Sequence, residues 1–292
     1  MANLDIAEKR LPMDGRIGLK VNNQDIDIRV STMPTVYGES VSLRLLQRKG
    51  GLITIRELGM NEHDCAKMEK IIRKPNGIVL VTGPTGSGKT TSLYAYLHEI
   101  NTVDVRILTA EEPIEYEMAG VNQVLIRPDI GLTFATVLRS FLRQDPDIIM
   151  VGEIRDFETA EIAIQASLTG HLVFSTLHTN DAAGAFTRLL DMGVEPYLLA
   201  SAVEAVVAQR LVRKLCISCR RRYEVPVVEL RQAGFKVDGS EKIALFEAGQ
   251  CDKCRKTGFH GRSGIFEVLE VTEAIESLVI TRRPTSEIKQ QA

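Results

Sequence analysis

Two groups of residues in this 292-residue chain have the types and spacing of chemical sites. The first is Gly83-Pro84-Thr85-Gly86-Ser87-Gly88-Lys89-Thr90, followed by Thr91, which fits the pattern G-x-x-x-x-G-K-[ST]. Glycines in such a loop let successive backbone N–H groups turn inward around phosphate oxygens, with the positive end of the next helix behind them. Lys89 then reaches the outer phosphates of a nucleotide and the Thr90 hydroxyl holds Mg²⁺. The pattern carries weight only between a strand and a helix. That context is present: the apolar run 78–82 precedes it and a helical segment follows. The second group is Cys216-x-x-Cys219 and Cys251-x-x-Cys254, separated by the 31 residues 220–250. Four thiolates in two such pairs suit a closed tetrahedral Zn²⁺ site. A redox pair is the rival reading, although redox motifs come singly.

A phosphate loop needs a carboxylate near its metal. Asp147-Ile148-Ile149-Met150-Val151-Gly152-Glu153 supplies an apolar strand with Glu153 just past its end, placed to hold Mg²⁺ through water or to orient an attacking water. The acidic cluster Glu111-Glu112-Pro113-Ile114-Glu115 follows another apolar run, and His171 and His178 bracket a third. Taken alone, such glutamates are solvated loop residues and such histidines satisfied structural groups. At the carboxyl edge of a parallel sheet they would surround a ligand crevice.

Hydropathy patterning outlines the strands and helices around these groups. Residues 1–50 alternate apolar and polar side chains (Ile26, Ile28, Val30; Val41, Leu43, Leu45), the period of strands, with turns at Asn22-Asn23 and 34–38. Fifty such residues are few for an independent core, and 51–61 follows as a linker. From 76 to 179 short apolar runs (78–81, 107–108, 148–151, 172–174) alternate with helical periods (133–144, 159–168). The fold class expected is therefore α/β, a mostly parallel sheet between helices. Helices are expected to dominate 182–215. The cysteine region 216–262 has little periodicity, and 263–292 closes the chain with a strand and helices.

Composition excludes several classes. The 44% apolar and 25% charged residues are those of a globular chain and not of a disordered one. No run of 18 apolar residues spans a membrane, and the first 25 residues lack a signal peptide's apolar core, so a cytoplasmic chain is expected. Net charge is −2, Trp is absent and aromatics are 5%, which argues against a nucleic-acid partner. Six cations do cluster in the 13 residues 210–222: Arg210, Arg213, Lys214, Arg220, Arg221 and Arg222. They make either a solvated face or a surface for an anionic partner. Cys65 reads as a small core residue.

The phosphate loop, the 111–115 acidic box, 147–153 with Ile154-Arg155-Asp156, and Thr169-Gly170-His171…Ser175-Thr176-Leu177-His178-Thr179-Asn180 resemble the secretion ATPase family. That family comprises hexameric motors of bacterial type II secretion and type IV pilus assembly. The segment 190–196 is more similar to the type II branch. The resemblance, over roughly residues 4–280, implies a RecA-like ATPase core at 62–215 preceded by the last part of a smaller α/β domain at 1–50. It also implies a longer parent chain whose missing N-terminal region docks on a membrane-anchored partner. Carried over residue by residue, it makes Glu153 the catalytic carboxylate and Glu115 a support for metal and water. His178 positions the γ-phosphate, and His171 supports it. Arg29 and Arg44 close on the nucleotide from the smaller domain, with Arg139 and Arg143 nearby. A surface ion pair is the plain alternative for each arginine. The implied partners are ATP, Mg²⁺ and Zn²⁺, a hexameric ring of copies of this chain, inner-membrane secretion components and acidic phospholipids, on the cytoplasmic face of the inner membrane. A RecA-like nucleic-acid motor and a nucleotide-dependent scaffold are the rival functions.

Overall fold

The computed structural model describes residues 2, 4–21, 24–47, 53–235, 237 and 241–292. The expected turn at Asn22-Asn23 and the first two residues of the expected linker, 51 and 52, lie outside these. The chain divides into two compact units, Met1–Ile53 and Thr54–Ala292.

The first unit is a three-stranded antiparallel sheet of β1 (Met13–Val21), β2 (Gln24–Thr35) and β3 (Gly38–Gln47), in that order. Period-two alternation sorts its faces. Ile17, Ile28 and Leu45 share one side, as do Gly15, Val30 and Leu43 in the next row. Val36 and Tyr37 form the β2–β3 turn, entered again through Gly38 at φ 119°.

The second unit opens with a 3-10 turn at Ile55–Leu58, inside the segment expected as linker, whose Ile55 and Leu58 are buried. Its regular elements then run α1 (Glu62–Ile71), β4 (Gly77–Thr82), α2 (Lys89–Ile100), β5 (Ile107–Glu111), β6 (Val121–Leu125), α3 (Phe134–Phe141), β7 (Ile148–Val151), α4 (Phe157–Leu168), β8 (Leu172–Leu177), α5 (Gly184–Asp191), α6 (Pro196–Ala202) and β9 (Val203–Leu215). The cysteine region adds β10 (Arg221–Pro226), α7 (Val227–Gln232) and β11 (Lys242–Glu247), and the chain ends with β12 (Phe259–Glu270), α8 (Glu273–Ile280) and α9 (Thr285–Gln291).

Seven strands form one sheet in the order β12-β9-β4-β8-β7-β5-β6, all parallel except β12 at one edge. β4, β5, β7 and β8 are buried at every residue, which is what a parallel sheet covered on both faces demands. Asp156 caps α4 by accepting from Thr159 N (2.8 Å), and Thr133 caps α3.

One expectation fails. Helices do not run to residue 215: from Val203 the chain is a 13-residue strand lying between β4 and β12. Val203, Val206, Val207 and Val212 are β-branched and suit a pleated surface, and a vacant place beside β4 decides the matter. Among the described residues no helix is long and apolar enough to cross a membrane.

Candidate functional site: a phosphate loop and a four-cysteine centre

Because β4, β8, β7 and β5 are parallel neighbours, the loops at their carboxyl ends lie along one edge. That edge brings together the phosphate loop after Thr82, the residues from His178 after β8, Glu153 after β7 and the acidic box after β5.

The phosphate loop turns on left-handed glycines, Gly83 at φ 147° and Gly88 at φ 92°. A Cβ on Gly83 would sit 2.5 Å from Gln209 O and 2.7 Å from Ser87 Oγ, so only glycine fits. Gly88 is the N-cap of α2 and gives it no side-chain cap, so the N–H groups of Lys89, Thr90 and Thr91 have no intrahelical acceptor. Ser87 Oγ is buried without a hydrogen-bond partner. An uncapped helix start, an orphaned hydroxyl and a loop shaped by glycine fit phosphate oxygens. Lys89 Nζ curls over the loop, donating to Gly83 O (2.8 Å) and Pro84 O (3.3 Å). Burial lowers the Lys89 pKa, and the nearby Glu153 charge opposes that shift. Pro84, Thr85, Gly86 and Thr90 are exposed along the same loop.

Thr82, fully buried, ties this loop to the β8 loop: its Oγ1 accepts from Thr179 N at 2.8 Å and meets Thr179 Oγ1 at 2.7 Å. One residue earlier His178 Nε2 lies 3.4 Å from Glu153 Oε2. Glu153 Oε1 accepts from Arg155 at 2.6 Å, and Arg155 also faces Glu112 at 3.4 Å. The Glu153 side chain is 14% exposed and that of His178 50%. The carboxylate is therefore held on one oxygen by a guanidinium and faces an open imidazole with the other.

The acidic box divides in two. Glu111 is buried and fully satisfied by Tyr94 OH, Thr109 Oγ1 (2.6 Å) and Gln123 Nε2 (2.9 Å). Burial and the Glu111 charge raise the Tyr94 phenol well above its ordinary value and push that of Tyr116, 4.4 Å away edge-on, up to about 12. Glu115 is hung from the same network, since its N–H donates to Tyr94 OH at 3.3 Å. Because Tyr94 belongs to α2, this network fixes the acidic box against the phosphate-loop helix.

Other expected site residues lie elsewhere. His171 precedes β8 and its carbonyl accepts from Gly77 N at the start of β4, so it stands at the amino edge, about 20 Å from the phosphate loop at 3.3 Å per residue. It cannot support a nucleotide bound there. Its Nδ1 meets Ala166 O at 2.9 Å, a structural bond. Arg139 pairs with Glu158 at 2.5 Å, and Arg143 bonds Arg139 O (2.7 Å) and Ser140 Oγ (3.2 Å) on its own helix. Arg139 thus has the surface ion pair the sequence allowed for, while Arg143 folds back on its own helix. Arg29 and Arg44 are cross-strand partners in the first unit, with Arg16 next in the row.

Sequence reasoning missed Arg155, Tyr94, Gln123, Thr82 and Gln209 as organisers. Arg155 had a signal, its position two residues after Glu153. The others sit inside apolar runs or far away in the chain, and nothing local marks them.

The four cysteines converge. Sγ–Sγ distances are 3.8 Å for Cys216–Cys251, 3.8 Å for Cys219–Cys254 and 3.7 Å for Cys251–Cys254, with all four within 4.8 Å of one another. Sulfurs at about 2.3 Å from a central Zn²⁺ form a tetrahedron with edges of about 3.8 Å, so the donor set fits that ion. Backbone turns shape each pair: Cys219 N donates to Cys216 O (3.1 Å), and Gly258 N donates to Cys254 Sγ (3.2 Å). Burial raises the Cys254 thiol, but hydrogen bonds with the Cys251 and Gly258 backbone and with the Cys251 and Cys219 thiols together outweigh it and bring it down to about 6. In the neighbouring basic stretch, Arg213 stacks on Phe259 (4.0 Å) and Arg220 on Phe246 (4.3 Å).

A parallel α/β sheet with this loop at its carboxyl edge defines a phosphate-loop nucleotide-binding protein. Residues 1–292 match the family described as type II/IV secretion system protein, and the chain belongs to that family. It is 52% identical over 292 residues to type II secretion system protein E of Pseudomonas aeruginosa, covering 100% of this chain and 58% of that protein. It is 49% identical over 294 residues to the type IV pilus assembly ATPase PilB of Myxococcus xanthus, covering 100% of this chain and 52% of that one. Among solved structures it resembles the pilus retraction motor PilT with bound ADP, at a TM-score of 0.69 and 27% identity, over 97% of this chain and 69% of that one. The chain spans about half the length of the curated relatives it matches.

Proposed function

We propose that this chain is the ATP-hydrolysing part of a motor that powers pseudopilus assembly in type II protein secretion. The observation that carries the reading is the shared edge, where a phosphate loop bearing Lys89 and Thr90 faces Glu153 held between Arg155 and His178. Loop N–H groups and Lys89 bind the phosphates of ATP, exchanging the carbonyls of Gly83 and Pro84 for phosphate oxygens. The Thr90 hydroxyl, with Glu153 and Glu115, would hold Mg²⁺, which when bound would supply positive charge to the phosphates. Glu153 Oε2, the oxygen not taken by Arg155, accepts the proton of the attacking water, and His178 on that side orients toward the outermost phosphate. Arg29 and Arg44 carry a proposed nucleotide role through the resemblance alone, and Arg139 would have to leave Glu158 to take one. Zn²⁺ held by Cys216, Cys219, Cys251 and Cys254 is structural, because four sulfurs leave no open position.

Six copies in a ring, inner-membrane components of the secretion machinery and acidic phospholipids are the proposed partners, with the protein peripheral on the cytoplasmic side of the inner membrane. The similar identity to a pilus assembly ATPase supports type IV pilus assembly as the second reading.

The test is Mg-ATP hydrolysis per subunit against protein concentration, with Glu153→Gln beside it. A rate that climbs with concentration and falls at least about 100-fold in Glu153→Gln, nucleotide still bound, is expected. A flat rate would mean that each chain is catalytically complete alone. Bound nucleotide without turnover at any concentration would replace the motor with a nucleotide-dependent scaffold.

A further inference from the structure

We infer that Gln209 on β9 is a positioning residue that holds the phosphate loop in its phosphate-accepting curve. The inference rests on the reading of that loop as a nucleotide site. β9 runs beside β4 as far as the Thr82–Ala208 pair, so Gln209 is the first residue beyond it and comes level with the loop. It follows the buried Ala205–Ala208 stretch and is itself only 3% exposed. Both ends of its amide are engaged. Nε2 donates to Ser87 O at 2.9 Å, and Oε1 accepts from Ser92 Oγ at 2.8 Å. Its own carbonyl oxygen is the atom against which Gly83 is packed. One side chain thus joins the loop, the first turns of α2 and the strand beneath them.

The donor to Ser87 O is the informative half. That carbonyl belongs to the peptide whose N–H is Gly88, at the bend where the loop enters α2. Pinning the oxygen on the strand side turns the N–H to the opposite side, outward from β9. An apolar residue would suit the strand equally well and would leave that peptide free to rotate. Preorganised donors lose affinity when they must be ordered by the ligand, so the amide acts on nucleotide affinity without touching nucleotide.

The experiment compares wild type, Gln209→Met and Ser92→Ala. It measures the affinity for a fluorescent ADP analogue, thermal melting without nucleotide, and amide hydrogen exchange of residues 83–91. Gln209→Met, similar in volume, is expected to weaken ADP at least about 10-fold, or about 1.4 kcal/mol, and to speed exchange in 83–91 while β4 and β8 stay protected. Ser92→Ala breaks only the helix side and is expected to change affinity less than about 3-fold. Affinity of Gln209→Met within about 2-fold of wild type overturns the inference, as does Ser92→Ala weakening ADP as much as Gln209→Met. Should Gln209→Met not fold, Gln209→Glu keeps the acceptor for Ser92, removes the donor to Ser87 O and sets a carboxylate oxygen against that carbonyl. It is read by exchange without nucleotide, where its charge meets no phosphate, and unchanged exchange in 83–91 overturns the inference. A wild-type chain that binds no ADP removes the nucleotide reading itself.

Discussion

Glu111 ends β5 and Glu153 lies just past β7 of the same sheet, yet their surroundings give them opposite work. Glu111 is buried with three donors, Tyr94, Thr109 and Gln123, which stabilise its charge and leave no oxygen for chemistry. Glu153 keeps one oxygen toward an exposed histidine. Tyr94→Phe removes a donor from a buried carboxylate, a change of about 1–3 kcal/mol. A lowered melting temperature is expected, and hydrolysis should fall as well, because the Glu115 N–H loses its anchor. A Tyr94→Phe protein that melts and turns over like wild type would show the network to be idle. Lys89→Ala removes the amine that curls over the loop and should abolish detectable binding of an ADP analogue at micromolar protein. Retained binding would mean that the loop N–H groups suffice.

At the scale of elements, β9 and β12 decide more than their lengths suggest. β9 passes Gln209 beside the phosphate loop and ends one residue before Cys216, while β12 begins shortly after Cys254, with Cys216 N donating to Gly258 O at 2.9 Å. The four-cysteine centre therefore clips together the far ends of two paired strands. Purified protein should carry about one zinc per chain, since the four sulfurs form one closed tetrahedral set. Stripping it with a strong chelator should lower the melting temperature and raise amide exchange in the β10–β11 hairpin first. Metal analysis that finds no zinc, or a melt indifferent to the chelator, would sink this. In β4, an interior strand of the sheet, Leu80 is fully buried, and Leu80→Ala should cost about 2–5 kcal/mol in a denaturant titration.

At the scale of the whole molecule, a net charge of −2 hides an uneven distribution. Arg213 and Arg220 are occupied by aromatic rings, so the basic stretch near the cysteines is partly a packing device. If it also meets acidic lipid, the combined change Arg220→Glu, Arg221→Glu and Arg222→Glu should abolish sedimentation with anionic vesicles at low salt. Binding that survives would return the stretch to a solvated face. Single- and double-stranded DNA should not bind even at low salt, and salt-sensitive binding would revive the nucleic-acid motor.

The amino-acid sequence by itself determined the α/β class, the phosphate loop, the Glu153 strand and the cysteine set, because each is written in contiguous residues: an apolar run, a glycine spacing, a C-x-x-C pair. Tertiary structure alone decided which of those groups meet. Parallel register carried His178 to the carboxyl edge beside Glu153 and left His171, seven positions earlier, at the other edge, although both flank one strand. Burial, which no local pattern reports, made Glu111 structural and recruited Tyr94, Gln123 and Gln209 from three separate elements. The residues 203–215, expected to be helical, form a strand because they pair with β4 on one side and β12 on the other. Local physics names the parts, and long-range pairing, set by where a chain must bury its strands, gives them their roles.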